Sequence, residues 1–185
     1  GGERYRATKA TVDRHRLVTV CEEARCPNIG ECWGEGTATI MLLGDVCTRG
    51  CRFCAVKTGN PNGIVDSEEP ENVARAISAL SLKYVVLTMV DRDDLPDGGA
   101  SHVAKTVRLL HELRPGLLVE ALVGDFKGVE QDIATVVEAR PDVFAHNVES
   151  VRRTTRRVRD VRCTYDRTLE LLRLAKTRAP ARFTK

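Results

Sequence analysis

Six of the seven cysteines lie between residues 21 and 54, in two triplets whose spacing could bind a metal cluster. The first triplet has the spacing C-x4-C-x5-C and the second has C-x3-C-x2-C. Their members are Cys21, Cys26, Cys32, Cys47, Cys51 and Cys54. Each triplet offers three soft thiolates, the ligands that iron–sulfur clusters prefer. Three thiolates leave one iron of a four-iron cube open, and a small molecule can bind and react there.

Zinc binding is the main alternative chemistry for these cysteines. Structural zinc prefers four ligands and paired C-x2-C elements, and within the second triplet only Cys51 and Cys54 have that spacing. All six cysteines together could instead form a binuclear zinc module that contacts DNA phosphates through nearby arginines. The observed spacings do not match the repeated C-x2-C elements of such a module, and it would not need the strand–helix series that follows.

The composition indicates a soluble folded protein in a reducing compartment. The chain has 185 residues, enough for one domain or part of a larger one, with 42% hydrophobic and 30% charged residues. No apolar run reaches the roughly 20 residues that span a bilayer, and the N-terminus has no secretory signal. An odd cysteine count without a signal disfavours a disulfide framework. We expect a cytoplasmic location, with an organelle left open if a transit peptide was removed.

After residue 60 the sequence alternates β-like runs with amphipathic helical stripes. The expected strands are residues 37–43, 84–90, 117–123 and 143–148, with the start of a fifth at 182–185. Helices fill the intervals, and Asp66 or Ser67 is expected to cap the first of them. Strand–helix alternation at this spacing predicts an α/β fold with a parallel sheet. Four βα units do not close an eight-fold barrel, so we expect an open partial barrel over residues 37–185, preceded by a cysteine-rich extension over residues 1–36.

The second triplet follows the first expected strand directly. Ligands of parallel βα folds gather at the carboxyl ends of the strands, so this loop lies on the expected functional face. Arg49 and Gly50 are expected to let the loop curl, and Phe53 to limit the access of solvent to it. C-x3-C-x2-C after a first strand resembles the signature of the radical S-adenosylmethionine (SAM) superfamily.

The stretches 21–33, 47–56, 90–100 and 146–149 resemble the lipoyl synthase family of that superfamily. The resemblance implies an enzyme that inserts two sulfur atoms at carbons 6 and 8 of an octanoyl group attached to a lysine of a carrier protein. It implies that Cys47, Cys51 and Cys54 hold a cluster that binds SAM. It further implies that the first triplet holds an auxiliary [4Fe–4S] cluster, which is the sulfur source.

The resemblance also implies partners. These are an octanoylated lipoyl-carrier domain and an electron donor such as a ferredoxin or flavodoxin, with no nucleic acid or membrane partner. Two alternatives stay open: another radical SAM enzyme with an auxiliary cluster, and a non-catalytic iron–sulfur or zinc-binding module.

Members of that family take a fourth auxiliary-cluster ligand from a serine in a C-terminal Arg-Ser-Ser-Tyr motif. This sequence ends at Lys185 without that motif, so the resemblance implies an N-terminal portion of the enzyme whose activity alone is doubtful. Ser81 and Ser101 are not in a context that would replace the serine.

Further polar residues follow the expected strands. Thr88, Asn147 and Glu149 are candidates for binding SAM, the last two as neighbours on one face of the fourth strand. The Asp91–Asp94 run would lie near the methionyl end of that cofactor. His146 and Cys163 are expected to be structural. Arginines 152, 153, 156, 157, 159 and 162 could form a landing site for an acidic carrier domain, with 152, 156 and 159 on one helical face.

Overall fold

A computed structural model describes residues 2–80 and 82–185. Ser81, which was not expected to replace the C-terminal serine ligand, lies outside the described residues. The strands are β1 (Thr37–Leu42), β2 (Val46–Cys47), β3 (Lys57–Thr58), β4 (Tyr84–Met89), β5 (Leu118–Leu122), β6 (Val143–Ala145) and β7 (Phe183–Thr184). The helices are α1 (Glu3–Arg14), α2 (Val20–Glu23), α3 (Ile29–Glu35), α4 (Glu69–Ser78), α5 (Ala100–Leu113), α6 (Glu130–Glu138), α7 (Arg152–Val158) and α8 (Tyr165–Arg178). Within the described ranges, no helix is long and apolar enough to cross a lipid bilayer.

The main sheet has five parallel strands in the order β1-β4-β5-β6-β7. Along the chain, each new strand of this sheet is added beside the previous one. The helices α4, α5, α6 and α8 pack against one another in the same order. Because crossover connections between parallel strands are right-handed, this order places the helices on one face and leaves the other face open. The expected partial barrel of four βα units and a fifth strand is confirmed.

Side chains along the strands are alternately buried and partly exposed, and the buried ones face the helices. Ala38, Ile40 and Leu42 of β1 are at most 1% exposed, as are Val85 and Leu87 of β4. The intervening residues of β4 are partly exposed and therefore lie on the open face. Each buried aliphatic side chain contributes roughly 1.5–3 kcal/mol, so the helix-covered face supplies most of the stability of the sheet.

The cysteine-rich extension packs against β1. The amide of Met41 donates to the Val18 carbonyl at 2.8 Å, and Thr19 forms an antiparallel bridge with Ile40. Trp33 of α3 is fully buried among the core residues. These contacts join the extension directly to the first barrel strand. The proposed division of the chain after residue 36 stays a prediction.

Two local expectations were wrong. The fourth strand ends at Ala145 instead of residue 148, because the Asn147 carbonyl accepts a hydrogen bond from Arg159 and Glu149 adopts a left-handed conformation with φ of 63°. Glu68, and neither Asp66 nor Ser67, precedes the first turn of α4. The Asp66 carboxylate instead accepts from the Glu68 amide at 2.9 Å, which forms a turn before the helix begins.

Candidate metal centres

The second triplet lies in a loop at the carboxyl end of β1, beside the carboxyl end of β4. The amide and the hydroxyl of Thr48 both donate to the Asp91 carbonyl, at 2.9 and 2.8 Å. Cys47 ends the short strand β2, and its carbonyl accepts from the Gly59 amide at 2.9 Å. Because β1 and β4 are parallel neighbours, their carboxyl ends open on the same edge of the sheet. The triplet therefore lies on the face predicted from the sequence.

A distant part of the chain, residues 158–163, holds this loop and is called the bracing segment below. The carboxylate of Asp160 accepts from the Gly50 amide at 2.9 Å. The amide of Asp160 donates to Sγ of Cys51 at 3.3 Å. One residue of the bracing segment thus contacts both the backbone of the loop and one of its candidate ligands.

Two further hydrogen bonds join the bracing segment to the loop. The Arg52 amide donates to the Val158 carbonyl at 2.8 Å, and the Arg162 guanidinium donates to the Thr48 carbonyl at 2.7 Å. Arg162 also forms a two-point ion pair with Asp160, whose pKa it lowers well below its usual range. The loop is therefore held along most of its length by groups outside it.

Arg49, inside the second triplet, is a buried cation. Its side chain is 2% exposed and donates to both carboxylate oxygens of Asp93, at 2.9 and 2.8 Å. It also donates to Asp125 at 2.7 Å and to Sγ of Cys163 at 3.3 Å. A buried guanidinium needs this kind of compensation, since an unpaired charge away from water is strongly destabilising. Arg49 anchors the loop to the barrel, which is a larger role than the curling expected from the sequence.

The carboxylates around Arg49 differ in their protonation equilibria. Burial raises the pKa of Asp91 to about 6, although the nearby Arg49 opposes this effect. Hydrogen bonding from Arg49 lowers the pKa of Asp93. Burial acts to raise the pKa of Asp125, but hydrogen bonding and charge attraction from Arg49 outweigh it, so the pKa falls. Asp93 and Asp125 are therefore the partners of Arg49 whose ionised forms are most strongly favoured, and Asp91 forms a longer ion pair with Arg49 at 3.5 Å.

The first triplet is held mainly by hydrogen bonds within the extension. Cys21 lies in α2, Cys26 follows it in a turn, and Cys32 lies in α3. The Cys26 amide donates to the Cys21 carbonyl at 3.0 Å, and the Cys32 amide donates to the Asn28 carbonyl at 3.0 Å. The side chain of Thr19 caps α2 by accepting from the Glu22 amide. These hydrogen bonds fix the backbone on which the three cysteines of the first triplet lie.

Charge on neighbouring thiols acts within both triplets. Burial raises the pKa of Cys32, and negative charge on Cys21 and Cys26 raises it further. Burial likewise raises the pKa of Cys47, with a smaller contribution from Cys54. Metal binding would favour the thiolate forms and so oppose these shifts.

The donor set of the two triplets suits iron–sulfur clusters. Each triplet offers three thiolates, whereas structural zinc prefers four ligands. A [4Fe–4S] cluster binds each thiolate through a different iron. The cysteines of both triplets are free thiols, so all six are available as soft ligands. The donor set therefore fits two iron–sulfur clusters.

The candidate SAM-binding residues lie at the carboxyl edge of the sheet, but not all on strands. Thr88 is in β4, pairs with Met41 of β1, and is partly exposed on the open face. Asn147 and Glu149 are exposed in the loop after β6, so their expected alternation on a strand face was wrong. Their role in binding SAM stays a prediction.

Other expectations can be compared with the structure directly. His146 is buried, with Nδ1 2.7 Å from the Val123 carbonyl and Nε2 3.2 Å from the Thr168 hydroxyl, and Cys163 is 4% exposed. Both are buried and hydrogen-bonded within the fold, which agrees with the structural role expected for them, and that role stays a prediction. Burial lowers the pKa of His146, so the ring is neutral. Phe53 is 52% exposed and does not enclose the loop, contrary to the prediction.

The acidic run after β4 is structural rather than free to meet a ligand. Asp93 binds Arg49, and Asp94 forms a two-point ion pair with Arg92. Arg92 is 2% exposed and also donates to the carbonyls of Leu43 and Ile64. The alternation of charges in the sequence was a signal of these pairs, but it did not identify their partners.

The arginine-rich stretch divides into two parts. Arg153, Arg156 and Arg157 are exposed on α7. The helix ends at Val158, so Arg159 is not on the helical face expected for it and instead donates to the Asn147 carbonyl at 3.1 Å. Arg159 and Arg162, at the end of the stretch, therefore make hydrogen bonds that support the site, although Arg162 is also partly open to solvent.

Known proteins resemble this chain in sequence and in fold. The chain is 67% identical over 178 residues to a lipoyl synthase of Sorangium cellulosum, covering 96% of this chain and 48% of that protein. It is 59% identical over 184 residues to a lipoyl synthase of Thermus thermophilus, covering 100% and 57%. The chain thus spans about half the length of these curated relatives.

Among solved structures, the fold resembles methylornithine synthase with a TM-score of 0.59 at 16% identity, covering 96% of this chain and 49% of that one. That similarity concerns the fold alone. Residues 41–181 match the radical SAM superfamily. This range includes the second triplet and the strands β4, β5 and β6. The chain therefore belongs to the radical SAM superfamily.

Proposed function

We propose that this chain is part of a lipoyl synthase, which inserts sulfur at carbons 6 and 8 of a protein-bound octanoyl-lysine. The observation that carries the proposal is the presence of two separate cysteine triplets joined to the same strand. The second triplet follows β1, and the extension that holds the first triplet is hydrogen-bonded to β1 through Met41. High identity to lipoyl synthases over the whole chain supports the same assignment.

Each triplet has a distinct task in this proposal. When bound, the cluster at the second triplet and SAM supply an adenosyl radical that removes hydrogen from the acyl chain, and the cluster at the first triplet supplies the sulfur. Cys47, Cys51 and Cys54 would hold the former, and Thr88, Asn147 and Glu149 would bind SAM. The contacts between the extension and β1 attach both triplets to one strand, and the proposal requires that the sulfur source lie within reach of the carbon radical.

The proposed partners are an octanoylated carrier domain and a one-electron donor such as a ferredoxin or flavodoxin. The exposed arginines of α7 offer a positively charged surface, and such surfaces speed the association of acidic partners. Neither a nucleic acid nor a membrane is part of the proposal. We place the reaction in the cytoplasm.

The test uses the full-length protein, reconstituted without oxygen with iron and sulfide. About eight irons per chain, cleavage of SAM and an octanoyl-lysine peptide that gains two sulfur atoms by mass spectrometry are the expected results. Replacing Cys21, Cys26 and Cys32 by Ala should remove about four irons and abolish sulfur insertion, while SAM cleavage continues. Normal thiolated product from that variant would refute the proposal.

A further inference from the structure

We propose that Asp160 is a positioning residue for the cluster at the second triplet, acting through the Cys51 sulfur and the Gly50 backbone. This inference rests on the proposed function, because it assumes a cluster at Cys47, Cys51 and Cys54. It assigns a role to a residue that lies 109 positions from the cysteine it contacts.

Two different groups of Asp160 act on the same loop. Its amide lies 3.3 Å from Sγ of Cys51, and its carboxylate lies 2.9 Å from the Gly50 amide. The first contact is directed at a candidate ligand atom, and the second at the backbone beside it. Sγ of Cys47 is different, because its 3.4 Å hydrogen bond comes from Arg49 within the loop itself. The Cys51 sulfur therefore accepts a hydrogen bond from a remote segment, whereas the Cys47 sulfur accepts one from its own loop.

Asp160 is itself held in place. Arg162 donates to its two carboxylate oxygens at 2.8 and 3.0 Å, and the Asp160 side chain is only 10% exposed. Arg162 also reaches the Thr48 carbonyl and Asp93, so it is tied to the loop and to the segment after β4. A two-point arginine–carboxylate pair fixes both position and orientation. The bracing segment can thus aim the Asp160 amide at the sulfur.

This arrangement has two chemical consequences. An N–H donor stabilises negative charge on a cluster sulfur, so it favours the reduced form and raises the reduction potential. The carboxylate holds the loop in shape before any cluster is bound, which lowers the cost of ordering it during assembly. Loss of Asp160 should therefore weaken retention of the cluster and make its reduction harder.

The experiment uses the full-length protein with Cys21, Cys26 and Cys32 replaced by Ala, so that only the second cluster is observed. Asp160→Ala is compared with Asp166→Ala, a matched change at an acidic residue whose side chain is 74% exposed. Iron loss to a chelator should be about tenfold faster in Asp160→Ala, as expected for the loss of one hydrogen bond to a charged group. Its reduction midpoint, followed by electron paramagnetic resonance, should fall, and Asp160→Asn should restore more than half of the iron retention.

Equal iron loss and equal midpoints in Asp160→Ala and Asp166→Ala overturn the inference. If circular dichroism shows that Asp160→Ala is unfolded, Asp160→Asn decides, since it keeps the size of the side chain and removes the charge that binds Arg162. Faster iron loss in Asp160→Asn than in Asp166→Ala supports the inference, and equal loss overturns it. A parent protein that takes up no cluster overturns the proposed function as well, whereas a loaded parent with an unaffected Asp160→Ala variant overturns this inference alone.

Discussion

The Arg49 guanidinium lies 2.7 Å from a carboxylate oxygen of Asp125, and the two side chains are only 2% and 3% exposed. Arg49 belongs to the second cysteine triplet, whereas Asp125 follows β5 on the other side of β4. The pair therefore links the loop that carries three candidate ligands to the interior of the barrel. Removing one partner of such a buried pair leaves an uncompensated charge, which costs more than the intact pair contributes.

We expect Asp125→Asn to lower the free energy of unfolding by about 3 kcal/mol, because Arg49 keeps only part of its compensation. Chemical denaturation followed by circular dichroism measures this change. The matched control is Glu130→Gln, which breaks an exposed ion pair with Arg178 and should cost at most about 1 kcal/mol. Equal losses in the two variants would show that the buried pair does not stabilise the loop.

Asp94 should make stability depend on pH in the acidic range. Hydrogen bonding from Arg92 lowers the pKa of Asp94 to about 2, below the ordinary value near 3.8. A depressed pKa means that the native state binds fewer protons than the unfolded chain, so the contribution is complete above pH 4 and is lost as the pH falls toward 2. Asp94→Asn should lower stability at pH 7 by on the order of 1 kcal/mol and converge with the parent near pH 2.

Unfolding of the cluster-free protein by urea, repeated between pH 2 and pH 7, tests this expectation. Asp66→Asn is a suitable control, because the Asp66 carboxylate accepts a hydrogen bond from the Glu68 amide at an exposed turn. A difference between Asp94→Asn and the parent that is the same at every pH would contradict the assignment.

The strands and helices could be predicted because their signals are local. The run from Tyr84 to Met89 is apolar on both faces, and the stripe of Val103, Val107 and Leu110 repeats at helical spacing. Such a pattern indicates which positions are buried even when the residues that cover them are unknown. The cysteine spacings were equally local, so both candidate ligand sets could be read directly from the sequence.

The support of the site could not be predicted, because it depends on pairs that are remote in sequence. Arg49 with Asp125, and Asp160 with Cys51, are joined only when β4, β5 and the bracing segment meet at one edge of the sheet. Charged residues are usually solvated, so sequence favoured an exposed surface for the whole arginine stretch. The conformation of Glu149 could not be predicted either, because a residue with left-handed backbone angles after a short strand produces no periodic pattern in the sequence.

Replacing the candidate SAM-binding residues should lower the affinity for SAM and leave the cluster content unchanged. Thr88→Val, Asn147→Ala and Glu149→Gln should each raise the dissociation constant for SAM by about tenfold, as expected for one lost hydrogen bond. Iron content should stay at the parent value, because none of the three is a cluster ligand. Equilibrium dialysis on reconstituted protein measures both, with the exposed residue Gln131→Ala as control. Affinities that match the control would refute the assignment for the residue concerned.

The exposed arginines of α7 should matter more for the KM of the carrier protein than for that of a small substrate. Replacing Arg153, Arg156 and Arg157 together by Gln should raise KM for an acidic octanoylated carrier domain by about tenfold at low salt, since complementary charge speeds association. The effect should shrink as ionic strength rises, because exposed charges are screened over about 10 Å at 0.1 M salt. Steady-state kinetics at several salt concentrations measure this dependence.

A neutral octanoyl-lysine peptide separates a docking surface from damage to the site, because α7 runs directly into the bracing segment. If the triple variant weakens turnover of the peptide as much as that of the carrier, the arginines act by supporting the cysteine loop and not by binding the partner. If only the carrier is affected, the charge of α7 is recognised by the carrier itself. The same number of positive charges removed at Arg6 and Arg14 of α1 and at Arg108 of α5, three exposed positions, should change the turnover of neither substrate, since they lie outside the segment that braces Cys51.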